Sequence, residues 1–139
     1  MKIMAVDLGD SRTGLATCDK FEMLASPLEV IHEKNIDVVL KQVSLKAKEN
    51  GIELLVVGYP KNMNGTVGER AEKCAAFAEK LEKKSGIKTV LWDERSTTVS
   101  ATNYLNVTNT RGQKRKNVID AVAATIILES YLNYRKLNG

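Results

Sequence analysis

Met4-Ala5-Val6-Asp7-Leu8-Gly9-Asp10-Ser11-Arg12-Thr13-Gly14 is the stretch around which the rest of the chain is organised. Lys2 to Val6 reads as an apolar strand, and it delivers a carboxylate, Asp7, at its end. Gly9, Asp10 and Ser11 supply a turn. Gly14-Leu15-Ala16-Thr17-Cys18 then reads as a second strand that returns antiparallel. A charge at the end of an apolar strand is costly unless it sits at the sheet edge or binds something. Asp7 is therefore the first candidate for chemistry. Glycines here let the backbone turn tightly and let a phosphate or a metal ion approach closely. The alternative is an ordinary hairpin in which Asp7 caps the turn.

Outward from that hairpin, Met23 to Ile31 is a third strand candidate, and Pro27 inside it requires an edge position or a bend. Ile36, Val39, Leu40, Val43 and Ala47 recur at helical spacing and are stopped by Asn50-Gly51. Glu53 to Gly58 is a short continuous apolar run, as in a strand buried on both faces. Tyr59 to Gly68 is a polar loop. Ala71, Cys74, Ala75, Ala78 and Leu81, with Phe77 beside them, mark a second amphipathic helix that Gly86 ends. Lys88 to Trp92 is the next strand and runs straight into Asp93-Glu94-Arg95. Ser96 to Leu105 reads as a short helix, Asn106 to Lys116 as a polar basic loop, and Val118 to Leu132 as an apolar helix. The order β-β-β-α-β-α-β-α-α predicts an α/β fold: a mixed sheet with helices on both faces, three strands in an antiparallel meander and two joining in parallel.

At 139 residues the chain is expected to form one domain. Its hydrophobic content of 43% is enough for a real core, and a net charge of +4 tilts the search towards a polyanionic partner. Cys18 and Cys74 do not make a disulfide framework; both are expected to be reduced core residues of an intracellular protein. His32, the only histidine, is expected at the surface at a strand end. There is no Cys/His metal-binding spacing, no signal-peptide pattern and no apolar run of membrane-spanning length, so no membrane partner is expected.

Three acidic places stand out. Asp7 ends the first strand, Asp93 and Glu94 end the last, and Asp120 falls in the first turn of the predicted apolar helix. A carboxylate in that turn either complements the helix dipole or points at the carboxyl ends of the strands, where open α/β sheets place their sites. Carboxylates converging there suit hard divalent ions such as Mg²⁺ or Mn²⁺. Arg12, Lys61, Asn62, Asn64 and Arg95 lie in the adjoining loops, and Arg111, Lys114, Arg115 and Lys116 lie just before Asp120. Cations so placed either form a solvated face or hold a phosphate backbone. With little aromatic interleaving, there is no platform for base stacking.

The chain resembles the YqgF (RuvX) family, the pre-16S ribosomal RNA nucleases also described as Holliday-junction-resolvase-like proteins. The resemblance spans essentially the whole chain. It rests on Asp7-Leu8-Gly9-Asp10-Ser11-Arg12-Thr13-Gly14-Leu15-Ala16, Val57-Gly58-Tyr59-Pro60-Lys61-Asn62-Met63-Asn64-Gly65-Thr66, Asp93-Glu94-Arg95-Ser96-Thr97-Thr98 and Lys114-Arg115-Lys116-Asn117-Val118-Ile119-Asp120-Ala121-Val122-Ala123-Ala124. It implies a ribonuclease H-like fold, divalent-metal nuclease activity and a cytoplasmic role in ribosomal RNA 5′-end maturation. In that fold the fourth strand lies beside the first and often supplies an acid, but here it ends in Gly58-Tyr59-Pro60. The second ligand must then come from Asp93 or Glu94. Glu94 is favoured for its reach, with Asp93 as the alternate.

The leading expectation is a two-ion endonuclease in which Asp7 bridges the ions and Glu94 and Asp120 hold them. Arg12, Arg95, Lys61, Asn62 and the Arg111–Lys116 segment would position phosphates. The partners expected are precursor ribosomal RNA or four-way DNA junctions, and ribosomal particles, with the chain a monomer or homodimer. Two other classes compete. Asp7-Leu8-Gly9 with Arg12 and Gly14 also looks like the phosphate loop of the actin/Hsp70/sugar-kinase group, which would make a nucleotide-binding module. A basic surface alone would serve a non-catalytic RNA-binding factor, which has no need of Asp7, Glu94 and Asp120 together.

Overall fold

Three strands lead the chain: β1 (Ile3–Asp7), β2 (Arg12–Cys18) and β3 (Ala25–His32). They are followed by α1 (Ile36–Glu49), β4 (Leu54–Tyr59), α2 (Glu69–Ser85), β5 (Lys88–Asp93) and α3 (Gly112–Asn138). The structure, a computed structural model, describes residues 1–59, 69–93 and 112–138; for 69, 70, 112–121 and 138 it describes the backbone alone. The strands form one mixed sheet in the order β3-β2-β1-β4-β5. The first three pair antiparallel, and β4 and β5 join in parallel.

Strand alternation sends successive side chains to opposite faces, and both faces are apolar. Met4, Val6, Leu15, Leu55 and Val57 pack under α1 and α2, against Val39, Val43, Ala47, Cys74, Phe77, Ala78 and Leu81. Ile3, Ala5, Ala16, Cys18, Leu54 and Val56 pack under α3, against Ala124, Ile127, Leu128, Tyr131 and Leu132. Each fully buried Leu or Ile contributes roughly 1.5–3 kcal/mol. Pro27 sits on the edge strand, as expected of a residue without an amide proton. The β2–β3 register slips there: Leu15 pairs with Glu29 and Ala16 with Pro27, leaving Leu28 as the extra residue of a bulge.

The helix ends follow local chemistry. Asn35 caps α1, its side chain accepting from the amide of Asp37. Gly51 and Gly86 take positive φ at 64° and 73°, just past α1 and α2. Cys18 and Cys74 are buried free thiols, and burial pushes the Cys18 thiol above its ordinary value.

The last helix departs from expectation. It begins at Gly112, so Lys114, Arg115 and Lys116 belong to a helix and not to a loop. Asp120 is its ninth residue, beyond the first turn. The segment from Gln113 to Lys116 has no apolar period, but Gln, Lys and Arg are good helix formers. A docked helix extends through such residues because adding one to an existing helix needs no new nucleus. The expected Ser96–Leu105 helix and the Pro60–Gly68 part of the expected loop lie outside the described residues, as do residues 106–111. Among the described residues no helix is long and apolar enough to cross a membrane.

Candidate active site

Ile3 and Ala5 face α3 and Met4 and Val6 face the other way, so alternation assigns Asp7 to the α3 side. The carboxylate stands half-buried at the end of β1. Its neighbours across the sheet carry no side chains. Gly14 of β2 pairs directly with Asp7. On the other flank Val57 pairs with Val6, so the next residue of β4, beside Asp7, is Gly58. Neither neighbouring strand therefore crowds the carboxylate. Gly58 in turn pairs with Trp92 of β5.

Arg12 lies two residues before Gly14 on β2, hence on the same side as Asp7, and it pairs with His32, the last residue of β3. His32 is exposed at the end of its strand, as the sequence predicts. The turn between β1 and β2 depends on Gly9. A Cβ there would lie 2.1 Å from the carbonyl oxygen of Arg12, closer than any real contact. Asp10 in the same turn pairs with Lys73 of α2 at 3.5 Å on the exposed surface.

Asp93 belongs to the opposite face. It pairs with Tyr59, which packs against the α1/α2 core, whereas Trp92 and Val90 pack against the α3 side. Asp7 and Asp93 thus part to the two sides of the sheet. Lys61, Asn62, Glu94, Arg95 and Arg111 lie outside the described residues, and the side chains of Lys114, Arg115, Lys116 and Asp120 lie outside the described atoms. Among the described residues no three His, Cys, Asp or Glu side chains gather as a metal-holding group.

The direction of α3 is set by its far end. Arg135 donates to both carboxylate oxygens of Glu22, at 2.5 Å from Nε and 3.3 Å from a terminal nitrogen, and the amino terminus pairs with the same carboxylate at 3.2 Å. The Arg135 guanidinium, with the amino terminus, holds the Glu22 carboxyl below its usual range. Glu22 belongs to the β2–β3 connection, at the opposite end of the sheet from Asp7. Trp92 clamps the helix to β5, with Nε1 donating to Ser130 Oγ at 3.1 Å and its ring edge-on to Tyr131 at 5.4 Å. The Arg135–Glu22 pair puts the end of α3 at the hairpin end, while Trp92, in the row of Gly58, holds Ser130; the first turns of the helix run towards the strand ends that carry Asp7 and Arg12.

The glycine flanks of Asp7 and the Arg12–His32 pairing were missed by sequence reasoning. The signal for the first was present: a glycine within an apolar strand often marks a close approach, and both Gly14 and Gly58 qualify.

The family model described as "RuvX: Holliday junction resolvase" matches residues 1–134. A protein of Carboxydothermus hydrogenoformans named "Putative pre-16S rRNA nuclease" is 42% identical over 138 residues, covering 99% of this chain and 100% of its own. A Bacillus subtilis protein of the same name is 42% identical over 135 residues, covering 96% and 98%. Among solved structures, Thermus thermophilus RuvC in complex with a Holliday junction superposes with a TM-score of 0.64 at 12% identity, covering 100% of this chain and 98% of that one. The fowlpox virus Holliday junction resolvase superposes at 0.58 and 13%, covering 96% and 99%. Fold and relatives define a nuclease of the ribonuclease H-like class. Within it, the chain belongs to the RuvX family.

Proposed function

We propose that the chain is a divalent-metal endonuclease, one domain over residues 1–139, acting in the cytoplasm on the 5′ end of precursor 16S ribosomal RNA. The observation that carries this reading is the setting of Asp7: a carboxylate at a strand end, flanked by Gly14 and Gly58, on the face that α3 covers.

The reach of α3 supports a role for Asp120. From Arg135 back to position 120 is fifteen helical residues, roughly 22 Å at about 1.5 Å each. From Met1, level with Glu22, to Asp7 is six strand residues, roughly 20 Å. Position 120 also stands four and seven residues before Ala124 and Ile127, in register with the stripe that packs on the sheet. At the ninth helical residue, a favourable contact with the helix dipole no longer explains the charge, because that effect fades within the first turn. Positions 114 to 116 lie roughly 6–9 Å further along the axis, past the strand ends, where their cations would meet phosphates. Glu94 is favoured over Asp93 as the other acid, because Asp93 faces away from Asp7.

Carboxylate oxygens of this kind fit a hard cation. Asp7, Glu94 and Asp120 would hold Mg²⁺ or Mn²⁺, which supplies an activated water and neutralises charge at the leaving oxygen. Arg12, Lys61, Asn62, Arg95 and Arg111 would orient the phosphate chain. RNA is favoured over a four-way DNA junction because the relatives named for the RNA substrate match over the full length at about 40% identity, whereas the junction resolvases share the fold at 12–13%.

The test is purified protein with Mg²⁺ or Mn²⁺ against precursor 16S RNA and a four-way junction, with Asp7→Asn as the control. Metal-dependent cleavage of the RNA is expected, and its loss in a variant that melts normally. An Asp7→Asn protein that cleaves at the wild-type rate overturns the assignment of Asp7.

A further inference from the structure

Ser11, Arg12, His32, Glu33 and Lys34 line an open depression of about 410 Å³ at the end of β2 and β3, a volume within the range of small-ligand sites. Its base is fixed. The amide of Glu33 donates to the carbonyl of Ser11 at 3.0 Å and ties the end of β3 to the β1–β2 turn. Arg12 and His32 are direct cross-strand partners and share the Asp7 side of the sheet; Lys34 follows, exposed. The one acid in the lining is engaged by its own backbone: Glu33 Oε1 accepts from the amides of Lys34 and Asn35 at 3.0 and 3.1 Å. The lining thus carries a guanidinium, an imidazole and an ammonium beside a carboxylate that its own backbone engages.

We propose that it is a phosphodiester subsite, in which Arg12, His32 and Lys34 hold a backbone phosphate of the bound nucleic acid. The proposal rests on the nuclease reading and adds His32 and Lys34 to it. β3 lies two strand spacings from β1, roughly 10 Å, so the phosphate held here is a neighbour of the one at Asp7 and not the scissile one. The substrate then crosses the β3 flank of the sheet as well as the start of α3. A backbone phosphate is favoured over a free anion because Arg12 and His32 share the Asp7 side of the sheet, so a chain seated at Asp7 continues over them.

The experiment is equilibrium binding of a fluorescent RNA duplex and a four-way DNA junction to the full chain in EDTA, across a salt series. It compares wild type, His32→Gln/Lys34→Gln and Lys114→Ala/Arg115→Ala/Lys116→Ala, with inorganic phosphate and a nucleoside 5′-monophosphate as competitors. The double variant should melt like wild type and bind roughly tenfold more weakly, the order of one lost charge-assisted contact. Its salt slope should fall by roughly 0.9 on the B-form arms of the DNA junction for the lost lysine contact. Unchanged affinity and slope in the double variant, with weakened binding in the triple variant, overturn the subsite and leave the nuclease reading standing. Competition by inorganic phosphate as effective as that by the labelled nucleic acid's unlabelled form assigns the depression to small anions and overturns the backbone assignment. A wild-type chain that binds neither probe removes the nuclease reading, and the subsite with it.

Discussion

The two faces of the sheet are built alike at one end and differently at the other. Near the β2–β3 connection both are apolar: Met4 and Leu55 under α1 and α2, Ile3 and Leu54 under α3. Towards the other end the α1/α2 face keeps Val57, Leu8 and Tyr59, with Asp93 beside Tyr59 and a buried Thr13. The α3 face changes instead to Asp7, Gly14, Gly58 and Arg12. Burial accounts for the apolar part of the first face, but not for Asp93 or for Thr13, whose buried Oγ1 has no hydrogen-bond partner among the described residues. On the second face, packing side chains give way to glycines and charge within one strand residue, as the proposed site requires.

The strongest way to break this division is to remove a carboxylate from each side. Asp120→Asn should lower the rate of metal-dependent cleavage by roughly a hundredfold or more, since even residues behind a metal ligand cost 10–100-fold. Asp93→Asn, on the α1/α2 side, should cleave close to the wild-type rate. Single-turnover cleavage of precursor RNA by both, beside their melting curves, decides it. If Asp93→Asn is as damaging as Asp120→Asn, the assignment of chemistry to one face is wrong.

A core substitution under each face sharpens the same contrast. Leu81 of α2 and Ile127 of α3 are both fully buried, and Leu81→Ala and Ile127→Ala should each cost roughly 2–5 kcal/mol of stability. Denaturant titration should show similar losses. At a temperature where both variants are folded, Ile127→Ala should also slow cleavage, because the proposed site takes Asp120 from α3. Equal rates in the two would detach α3 from the positioning of the acid.

How much of this could be read from the sequence follows from the range of the contacts. The strands and two helices were legible because their apolar periods are local, and their stops because Gly51 and Gly86 supply positive φ. Pro27 announced its own edge position. The start of α3 was not legible, because Gln113 to Lys116 is polar throughout and its helicity comes from continuity with the packed part. Asp7 announced itself as a charge closing an apolar strand. The role of Gly58 was hidden, since it meets Asp7 only through the parallel pairing of β1 and β4. The separation of Asp93 from Asp7 was equally hidden, because it needs the register Tyr59 to Asp93.

The smallest effect belongs to the end where the faces agree. Glu22 sits at a positive φ of 57°, a region a non-glycine residue enters at some cost, and Arg135 and the amino terminus hold its carboxylate there. Its carboxyl is held below the ordinary value, first by the hydrogen bond from Arg135. A group with a lowered folded pKa stabilises the fold above its unfolded pKa and loses that contribution as pH falls through the folded one. The contribution is therefore full at neutral pH and fades on the acid side of about 4.5, the ordinary value. Glu22→Gln should melt a little below wild type at pH 7, and the gap should close as the pH is taken down towards 3. Cleavage at pH 7 should not change, because the pair lies at the opposite end of the sheet from Asp7. A melting gap that does not vary with pH would assign Glu22 a purely conformational role, and a loss of cleavage would mean that the hairpin end sets the position of α3 at the site.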